Sequence, residues 1–305
     1  MDGLPFRKLG DEHGLSGKQV FLKVRKEISA LPQNFNLTRS LCDMNRFSRF
    51  LVIDGKYISV KGFEQKIPFL YGIDYLTHDI PHGDLFVAED EMAFSQFFGK
   101  LKDLGYSPQV VIADDRAGLK QALNKVFPYA RLQLCHTHYL ENIRQLLRVR
   151  TEERYRHFFN SLSLHVFKQD IDEYTIEAGW RHVWKERTGG NWQLQNILKE
   201  IDRRKTDLFN YLQIKNCPNT TNIIESYNSH LQGRLDTIKG FQSFDSAKAW
   251  CNGYLIRRRT KTFTDCEFPF KHLNGFASLQ FTIRDFKLWP TWIAGVQKPR
   301  KEPKR

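Results

Sequence analysis

The sequence has few cysteines and no long hydrophobic run, and both absences limit what the protein can be. Its five cysteines are scattered along 305 residues, at Cys42, Cys135, Cys217, Cys251 and Cys266. An odd, dispersed set indicates a reducing compartment and not a disulfide framework. No apolar stretch approaches the roughly 20 residues that a membrane helix needs, and the first residues lack an apolar signal core. We therefore expect no membrane segment and a cytoplasmic location.

Acidic residues are the minority among the charged ones. Lys and Arg number 47 against 34 Asp and Glu, which leaves a formal net charge of +13. Such a balance favours a polyanionic partner, and the basic residues cluster in runs at 203–205, 257–261 and 298–305. A merely soluble basic protein is the alternative, since each run alone could be a solvated surface. The length suits one large domain or two smaller ones with a normal core.

The pattern of apolar residues changes along the chain. Residues 5–29 predict two helices around a break at 14–16, with Ser16 as N-cap, which is helix-turn-helix geometry. The pattern then predicts strands at 50–54, 56–60 and 67–75, a helix at 89–104, a strand at 109–113, a helix at 117–127 and a strand at 131–134. Residues 139–215 look helical throughout, and further helices are predicted at 222–236 and 243–258.

Three strands, a helix, a strand, a helix and a strand follow each other in the order of the ribonuclease H-like fold. The predicted class is therefore α/β, with a ribonuclease H-like mixed sheet, an all-helical insertion and a short helix-turn-helix before them. The predicted divisions are a helix-turn-helix segment (1–32), a linker (33–48), the first part of the core (49–138), the helical insertion (139–215), the second part of the core (216–260) and a C-terminal segment with a disordered basic tail (261–305).

Three acidic residues stand out in this pattern. Asp54 and Asp114 each end an apolar run of strand character, and Glu225 lies on a predicted helix. A carboxylate at the end of a buried strand lies at the rim of a sheet, where α/β sites form. Three such carboxylates can hold two Mg²⁺ ions, which suits the cutting and joining of phosphodiesters. In a chain with this charge, the set predicts an enzyme that acts on DNA or RNA.

Four sequence blocks carry a resemblance to a known family. They lie at 52–55, at 113–119 with 127–130, at 133–138, and at 220–228 with Arg234 and 240–241 beyond. In this order and spacing, the chain resembles the DDE transposases of the Mutator-like superfamily, which includes many prokaryotic insertion-sequence enzymes. The helix-turn-helix segment matches more weakly, and the chain begins too soon for a further helix before it, which predicts a minimal or truncated module.

The resemblance implies that Asp54, Asp114 and Glu225 are catalytic and hold two Mg²⁺ ions, with Mn²⁺ as a possible substitute. Asp115 is adjacent to Asp114, but the family's aspartate precedes the Gly-Leu pair by four residues, which selects Asp114. Asp54 would bridge both ions, and each of the other two acids would hold one. Hydrolysis at the transposon end would free a 3′-hydroxyl, which would then attack target DNA.

Cys135 and His138 match the family's Cys-x-x-His block. A Zn²⁺ site needs about four ligands, and Cys135, His136 and His138 supply at most three close together. A structural or hydrogen-bonding role near the site is therefore favoured over metal binding. A buried core thiol is the plain alternative for Cys135.

DNA is the expected partner, both as terminal inverted repeats and as target. The residues predicted to contact it are Lys18, Gln19, Lys23, Arg25, Lys26, Asn228, Arg234, Arg257, Arg258 and Arg259. Asn228 and Arg234 could equally cap or pair within their helix. Trp180, Trp184 and Trp192 could stack on a flipped base, although core positions are favoured for most of them. Concerted cutting of two ends suggests at least a homodimer, located at the nucleoid in a prokaryote or in the nucleus of a eukaryote.

Three other interpretations stay open. A catalytically decayed or domesticated transposase would act only as a DNA-binding protein, and the short N-terminus keeps this alternative alive. A different ribonuclease H-like nuclease, such as a resolvase, is disfavoured by the Cys-x-x-His block and the long helical stretch. An unrelated basic α/β protein with surface acids is disfavoured because two of the acids end apolar strands.

Overall fold

The computed structural model describes residues 5–168, 172–187, 190–238, 240–299 and 302–303. Arg300, Lys301, Lys304 and Arg305 fall outside these ranges, so half of the basic tail at 298–305 that the sequence predicts to be disordered lies outside the described residues. Among the described residues, no helix combines the length and the apolar character that crossing a membrane requires.

The described residues form an α/β protein. The strands are β1 Phe50–Ile58, β2 Ile67–Asp74, β3 His82–Leu85, β4 Val110–Ala113 and β5 Arg131–Leu134. The helices are α1 Phe6–His13, α2 Gly17–Ala30, α3 Asn34–Leu41, α4 Glu91–Asp103, α5 Leu119–Val126, α6 His136–Leu146, α7 Arg156–His165, α8 Glu173–Arg187, α9 Trp192–Arg203, α10 Lys205–Leu208, α11 Asn222–Leu235, α12 Phe244–Thr260 and α13 Leu279–Thr282.

The chain divides into two compact units. The first unit comprises residues 1–109, 117–130 and 222–305, and the second unit comprises residues 110–116 and 131–221. The first unit contains the antiparallel strands in the order β3-β2-β1, and the second contains β4 and β5, which pair in parallel. The predicted α/β class is confirmed, while the ribonuclease H-like topology stays a prediction.

The antiparallel strands differ from the predicted ones at Gly55. The sequence predicted a break there between two strands, and that prediction is wrong, because β1 continues through Gly55 and pairs with β2 as far as Ile58. A Cβ at Gly55 would lie 2.8 Å from Cδ2 of Leu70 on β2, so this glycine permits close packing within the sheet. The third strand of the unit is β3, which pairs with β2 between Phe69 and Gly72.

The segment predicted to be a linker contains a packed helix. Helix α3 buries Leu37 together with two polar residues, Asn34 and Thr38. Their side-chain oxygens accept hydrogen bonds of 2.8 and 2.7 Å from the guanidinium of Arg259 on α12. The polar contacts explain why an apolar pattern alone did not reveal α3.

Arg259 also forms a buried ion pair that joins three parts of the first unit. Its Nε and Nη2 each donate to Asp79, in the connection between β2 and β3, at 2.8 Å. Both side chains are fully buried. Burial alone would raise the pKa of Asp79, but the Arg259 charge and its hydrogen bonds hold that pKa below its usual value. The pair therefore fixes α12 against α3 and the β2–β3 connection.

The two N-terminal helices agree with the sequence pattern. Ser16 caps α2 as predicted, because its hydroxyl accepts from the backbone N–H of Gln19, and Gln19 Oε1 accepts from the Ser16 backbone in return. The rings of Phe6 on α1 and Phe21 on α2 meet edge to face, with 5.7 Å between centroids. DNA reading by this pair of helices stays a prediction.

Candidate carboxylate site

Asp54 lies in the middle of β1, opposite Tyr71 of β2, and is half-buried. The sequence predicted that it would end its strand, and this is corrected by the continuation of β1 to Ile58. Its Oδ1 accepts the backbone N–H of Gly55 at 2.8 Å, and its Oδ2 accepts the Nδ2 amide of Asn228 at 2.6 Å. The carboxylate is therefore held by one backbone donor and one side chain from α11.

A buried tyrosine sets the direction of this amide. The hydroxyl of Tyr71 donates to Oδ1 of Asn228 at 2.7 Å, and Tyr71 is fully buried. Burial raises the pKa of Tyr71 well above its usual value, so the phenol keeps the proton that it donates. With its oxygen turned to Tyr71, Asn228 presents its NH₂ group to Asp54. The two successive hydrogen bonds, from Tyr71 to Asn228 and from Asn228 to Asp54, thus orient the Asp54 carboxylate.

Glu225 lies in the first turn of α11 and is half-buried. Residues three apart share one face of a helix, so Glu225 and Asn228 lie on the same side of α11. Helix α11 packs on β1. The hydrogen bond from Asn228 to Asp54 therefore brings the face of α11 that carries Glu225 to the strand that carries Asp54.

Asp114 belongs to the second unit and directly follows β4, as the sequence predicted. Its Oδ1 lies 2.6 Å from Nδ1 of His138, and its Oδ2 lies 3.7 Å from Arg116. Hydrogen bonds with Asp114 and Cys135 raise the pKa of His138 to about 10, so the imidazole is protonated at neutral pH and pairs with the carboxylate. His138 therefore holds Asp114 through an ion pair.

Cys135 completes this cluster. Its Sγ lies 3.3 Å from Nδ1 of His138 and accepts from the backbone N–H and the hydroxyl of Thr221, at 3.3 and 3.2 Å. Burial raises the pKa of the thiol, but hydrogen bonds with His138 and Thr221 outweigh it, so the pKa lies below its usual value. One potential ligand atom each from Asp114, Cys135 and His138 lie within 4.8 Å of one another.

The cluster of Asp114, Cys135 and His138 offers sulfur and nitrogen as well as oxygen, whereas Asp54 and Glu225 offer only carboxylate oxygens. Sulfur and imidazole nitrogen suit zinc, which takes four ligands in structural sites, whereas carboxylate oxygens suit Mg²⁺. Thr221 already donates two hydrogen bonds to Cys135 Sγ. This favours the hydrogen-bonding role that the sequence indicated for Cys135 and His138, next to Asp114.

Asp115, the neighbour of Asp114, has a different partner. Its Oδ2 lies 2.6 Å from Nη1 of Arg204. Arg204 also donates to Glu200 at 2.5 Å. The two adjacent aspartates therefore face different groups, one a histidine–cysteine cluster and the other an arginine.

The residues predicted to contact DNA separate into exposed and engaged ones. Lys18, Lys23, Arg25 and Lys26 are exposed on α2, whereas the Gln19 side chain takes part in the helix cap. Arg234 and Arg257 are half-buried, and the guanidinium of Arg258 lies 4.2 Å from the ring centre of Tyr227. One of the predictions is corrected, because Arg259 is fully buried against Asp79. Asn228 donates to Asp54, and its contact with DNA stays a prediction.

The sequence interpretation missed three residues of these clusters. Thr221 lies within one of the family-like blocks, so its position next to Glu225 was a usable signal. Tyr71 gave no local signal, because it and its partner Asn228 are 157 residues apart. Arg204 lies in the basic run 203–205, but nothing local indicates its pairing with Asp115.

The fold and these clusters define a basic α/β protein with carboxylates on a strand, after a strand and on a helix. A family model described as "Transposase, Mutator family" matches residues 29–252, a segment that contains Asp54, Asp114 and Glu225. The chain therefore belongs to the Mutator family of transposases, and the resemblance seen in the sequence is confirmed.

One curated relative extends this finding. The chain is similar to the transposase for insertion sequence element ISRM5 of Rhizobium meliloti (strain 1021), with 24% identity over 207 residues. The matched part covers 65% of this chain and 50% of the relative, so the chain spans about half the length of that protein.

Proposed function

We propose that this chain acts as a DDE transposase, which cleaves DNA at the ends of a transposon and joins the freed 3′-hydroxyl to target DNA. The observation that carries the proposal is the hydrogen bond from Asn228 to Asp54, one turn after Glu225 on α11. Membership of the Mutator family supports it. Asp54, Asp114 and Glu225 are the proposed catalytic residues.

The donor chemistry of these residues fits divalent magnesium. Mg²⁺ is bound through carboxylate oxygens, and two hydrogen bonds, from the Gly55 backbone and from Asn228, orient the carboxylate of Asp54. Asp54, Asp114 and Glu225 would hold two ions, with Mn²⁺ as a substitute. When bound, the ions supply positive charge that offsets the charge developing on the reacting phosphate.

The protein's own groups prepare two successive displacements at phosphorus. In the first, a water oxygen attacks the phosphate at the transposon end, and the bond to the 3′-oxygen breaks to leave a 3′-hydroxyl. In the second, this hydroxyl attacks a phosphate of target DNA and a strand of the target breaks. Asn228 keeps Asp54 in one orientation through both steps, and His138 does the same for Asp114.

Basic side chains outside the acids are proposed to hold the DNA. The exposed face of α2 offers Lys18, Lys23, Arg25 and Lys26 to the phosphates of the terminal repeats. The net charge of +13 supports non-specific attraction to both DNA partners. Because two ends are cut in concert, we propose that at least two copies of the chain act together, in the bacterial cytoplasm.

Removal of the Asn228 amide is expected to slow nicking by about 10- to 100-fold, the usual cost of losing a group that orients a metal ligand. In Asn228→Ala the Asp54 carboxylate loses its 2.6 Å donor and turns more freely. The measurement is the nicking rate as a function of Mg²⁺ concentration. The half-saturating concentration should rise, which a purely structural defect would not cause.

Two tyrosines supply a matched control for this result. Tyr71→Phe removes the donor that fixes Asn228, and should shift the Mg²⁺ dependence in the same direction. Tyr254→Phe also removes one buried hydroxyl, which donates to the backbone oxygen of Tyr227 at 3.0 Å, and should leave the Mg²⁺ dependence unchanged. An equal shift of the Mg²⁺ dependence in Tyr71→Phe and Tyr254→Phe would contradict a positioning role for Asn228.

A decayed or domesticated transposase that only binds DNA is the second candidate, because the net charge of +13 would support DNA binding even without catalysis. The test uses DNA that carries the segments flanking this chain's coding sequence. Nicking and strand transfer that require Mg²⁺ and stop on chelation would support the enzyme. Tight binding without nicking would favour the second candidate.

A further inference from the structure

Two tryptophans of the second unit lie side by side on α8. The ring centres of Trp180 and Trp184 are 6.2 Å apart, with 35° between the planes. Trp184 is 40% exposed and Trp180 is half-buried. The sequence favoured core positions for most of the three tryptophans. This prediction is wrong for Trp184 and for Trp192, which is 73% exposed.

The two rings line a cavity together with charged residues. Arg181 of α8 and Lys199 and Asp202 of α9 complete its wall, and its volume is about 300 Å³. This volume is at the lower end of the range for small-molecule sites, about 300–1,000 Å³. A single planar group the size of a nucleobase is therefore a suitable occupant.

The chemistry of the wall selects the kind of occupant. Indole faces bind other flat aromatic groups by stacking, and the exposed cations Arg181 and Lys199 attract an anion beside them. An unpaired nucleotide offers both, a free base face and a phosphate. A base within a duplex offers neither face, because its neighbours cover them. Asp202 would repel a phosphate, but its carboxylate accepts hydrogen bonds from amino groups on a base edge.

We propose that the cavity of Trp180, Arg181, Trp184 and Lys199 binds an unpaired nucleotide of a DNA strand. The base stacks on Trp184, and the two cations bind its phosphate. This site rests on the proposed function for the identity of its polyanion, and it adds a specific task to it. Cutting and joining require strand ends to be exposed, and a site of this kind keeps an unpaired nucleotide from re-entering the duplex.

The test is the binding of two fluorescent DNAs to the full chain in EDTA, measured by anisotropy. One is an oligothymidine, which is single-stranded, and the other is a blunt hairpin duplex of the same length. Trp184→Ala should weaken oligothymidine binding by about 10-fold, as expected for the loss of one stacked base, and leave duplex binding unchanged. Trp184→Phe keeps an aromatic face and should retain most of the affinity.

Trp192→Ala is the matched control, because Trp192 is more exposed than Trp184 but does not line the cavity. It should bind both DNAs as the unmodified chain does. Unchanged oligothymidine binding in Trp184→Ala would overturn the proposal, and so would an equal loss for both DNAs or an equal loss in Trp192→Ala. Circular dichroism of each variant checks that the helices persist.

The binding result is separable from the nicking result, since no metal is present. A chain that binds oligothymidine through Trp184 but never nicks DNA would support the nucleotide site and contradict the transposase proposal. If the unmodified chain nicked DNA while Trp184→Ala bound oligothymidine normally, the transposase proposal would be supported and the nucleotide site would be contradicted.

Discussion

Asp114→Asn is expected to lower DNA nicking at least about 100-fold, while Asp115→Asn leaves it unchanged. Asparagine keeps the shape of Asp114 and can still accept from His138, so the loss reports the missing negative charge. Removing one group that stabilises charge in the transition state costs about 10²–10³ in rate. The two substitutions make the same chemical change at adjacent positions, so each serves as the control for the other.

The different partners of the two aspartates explain why their variants should differ. Asp115 is paired with Arg204, and this pair is partly exposed, so its loss should cost at most about 1 kcal/mol of stability. The nicking rates of both variants test which aspartate is catalytic, and their urea midpoints measure any loss of stability. If Asp115→Asn lost activity and Asp114→Asn kept it, the assignment from the Gly-Leu spacing would be wrong.

Arg259→Ala is expected to lower the free energy of unfolding by about 3–5 kcal/mol, the typical cost of leaving one buried charge without its partner. Asp79 would remain fully buried, and Asn34 and Thr38 would each lose a hydrogen bond from the guanidinium. Urea denaturation of the variant and of the unmodified chain measures this change in the free energy of unfolding. The expected loss is a large part of the stability of an ordinary domain.

Arg25→Ala provides the comparison for Arg259, because Arg25 is exposed on α2. Its free energy of unfolding should change by no more than about 0.5 kcal/mol. A variant of Arg259 that kept full stability and lost only DNA affinity would contradict the structural role and restore the interpretation of the arginine run as a DNA contact.

The elements that could be predicted from the sequence have strong local patterns. Strand β4 is a run of apolar residues without alternation, and α11 presents Ile224, Tyr227 and Leu231 at helical spacing. Gly55 was misread because a glycine within a strand has the same local signature as one in a turn. Its actual reason, the approach of Leu70, depends on the pairing of β1 with β2.

Buried polar contacts could not be predicted for a related reason. Arg259 belongs to a run of three arginines that looks like a solvated or DNA-binding surface. Its burial is explained by distant partners, Asp79, 180 residues away, and Asn34 and Thr38 on α3. Asn228 likewise appeared to be a helix surface residue until Tyr71 and Asp54 were placed on either side of it. The identity of the candidate acids came from the spacing of the blocks, whereas the groups that orient them came from the fold.

The most direct test of the account is the nicking of DNA that carries the flanks of this chain's coding sequence, in Mg²⁺, by the unmodified chain and by Glu225→Gln. Glu64→Gln removes the same charge at an exposed position and serves as the control. We expect metal-dependent nicking and strand transfer by the unmodified chain and by Glu64→Gln, and none by Glu225→Gln. Equal nicking by Glu225→Gln and the unmodified chain would contradict the assignment of Glu225 as a catalytic residue and, with it, the proposed DDE site.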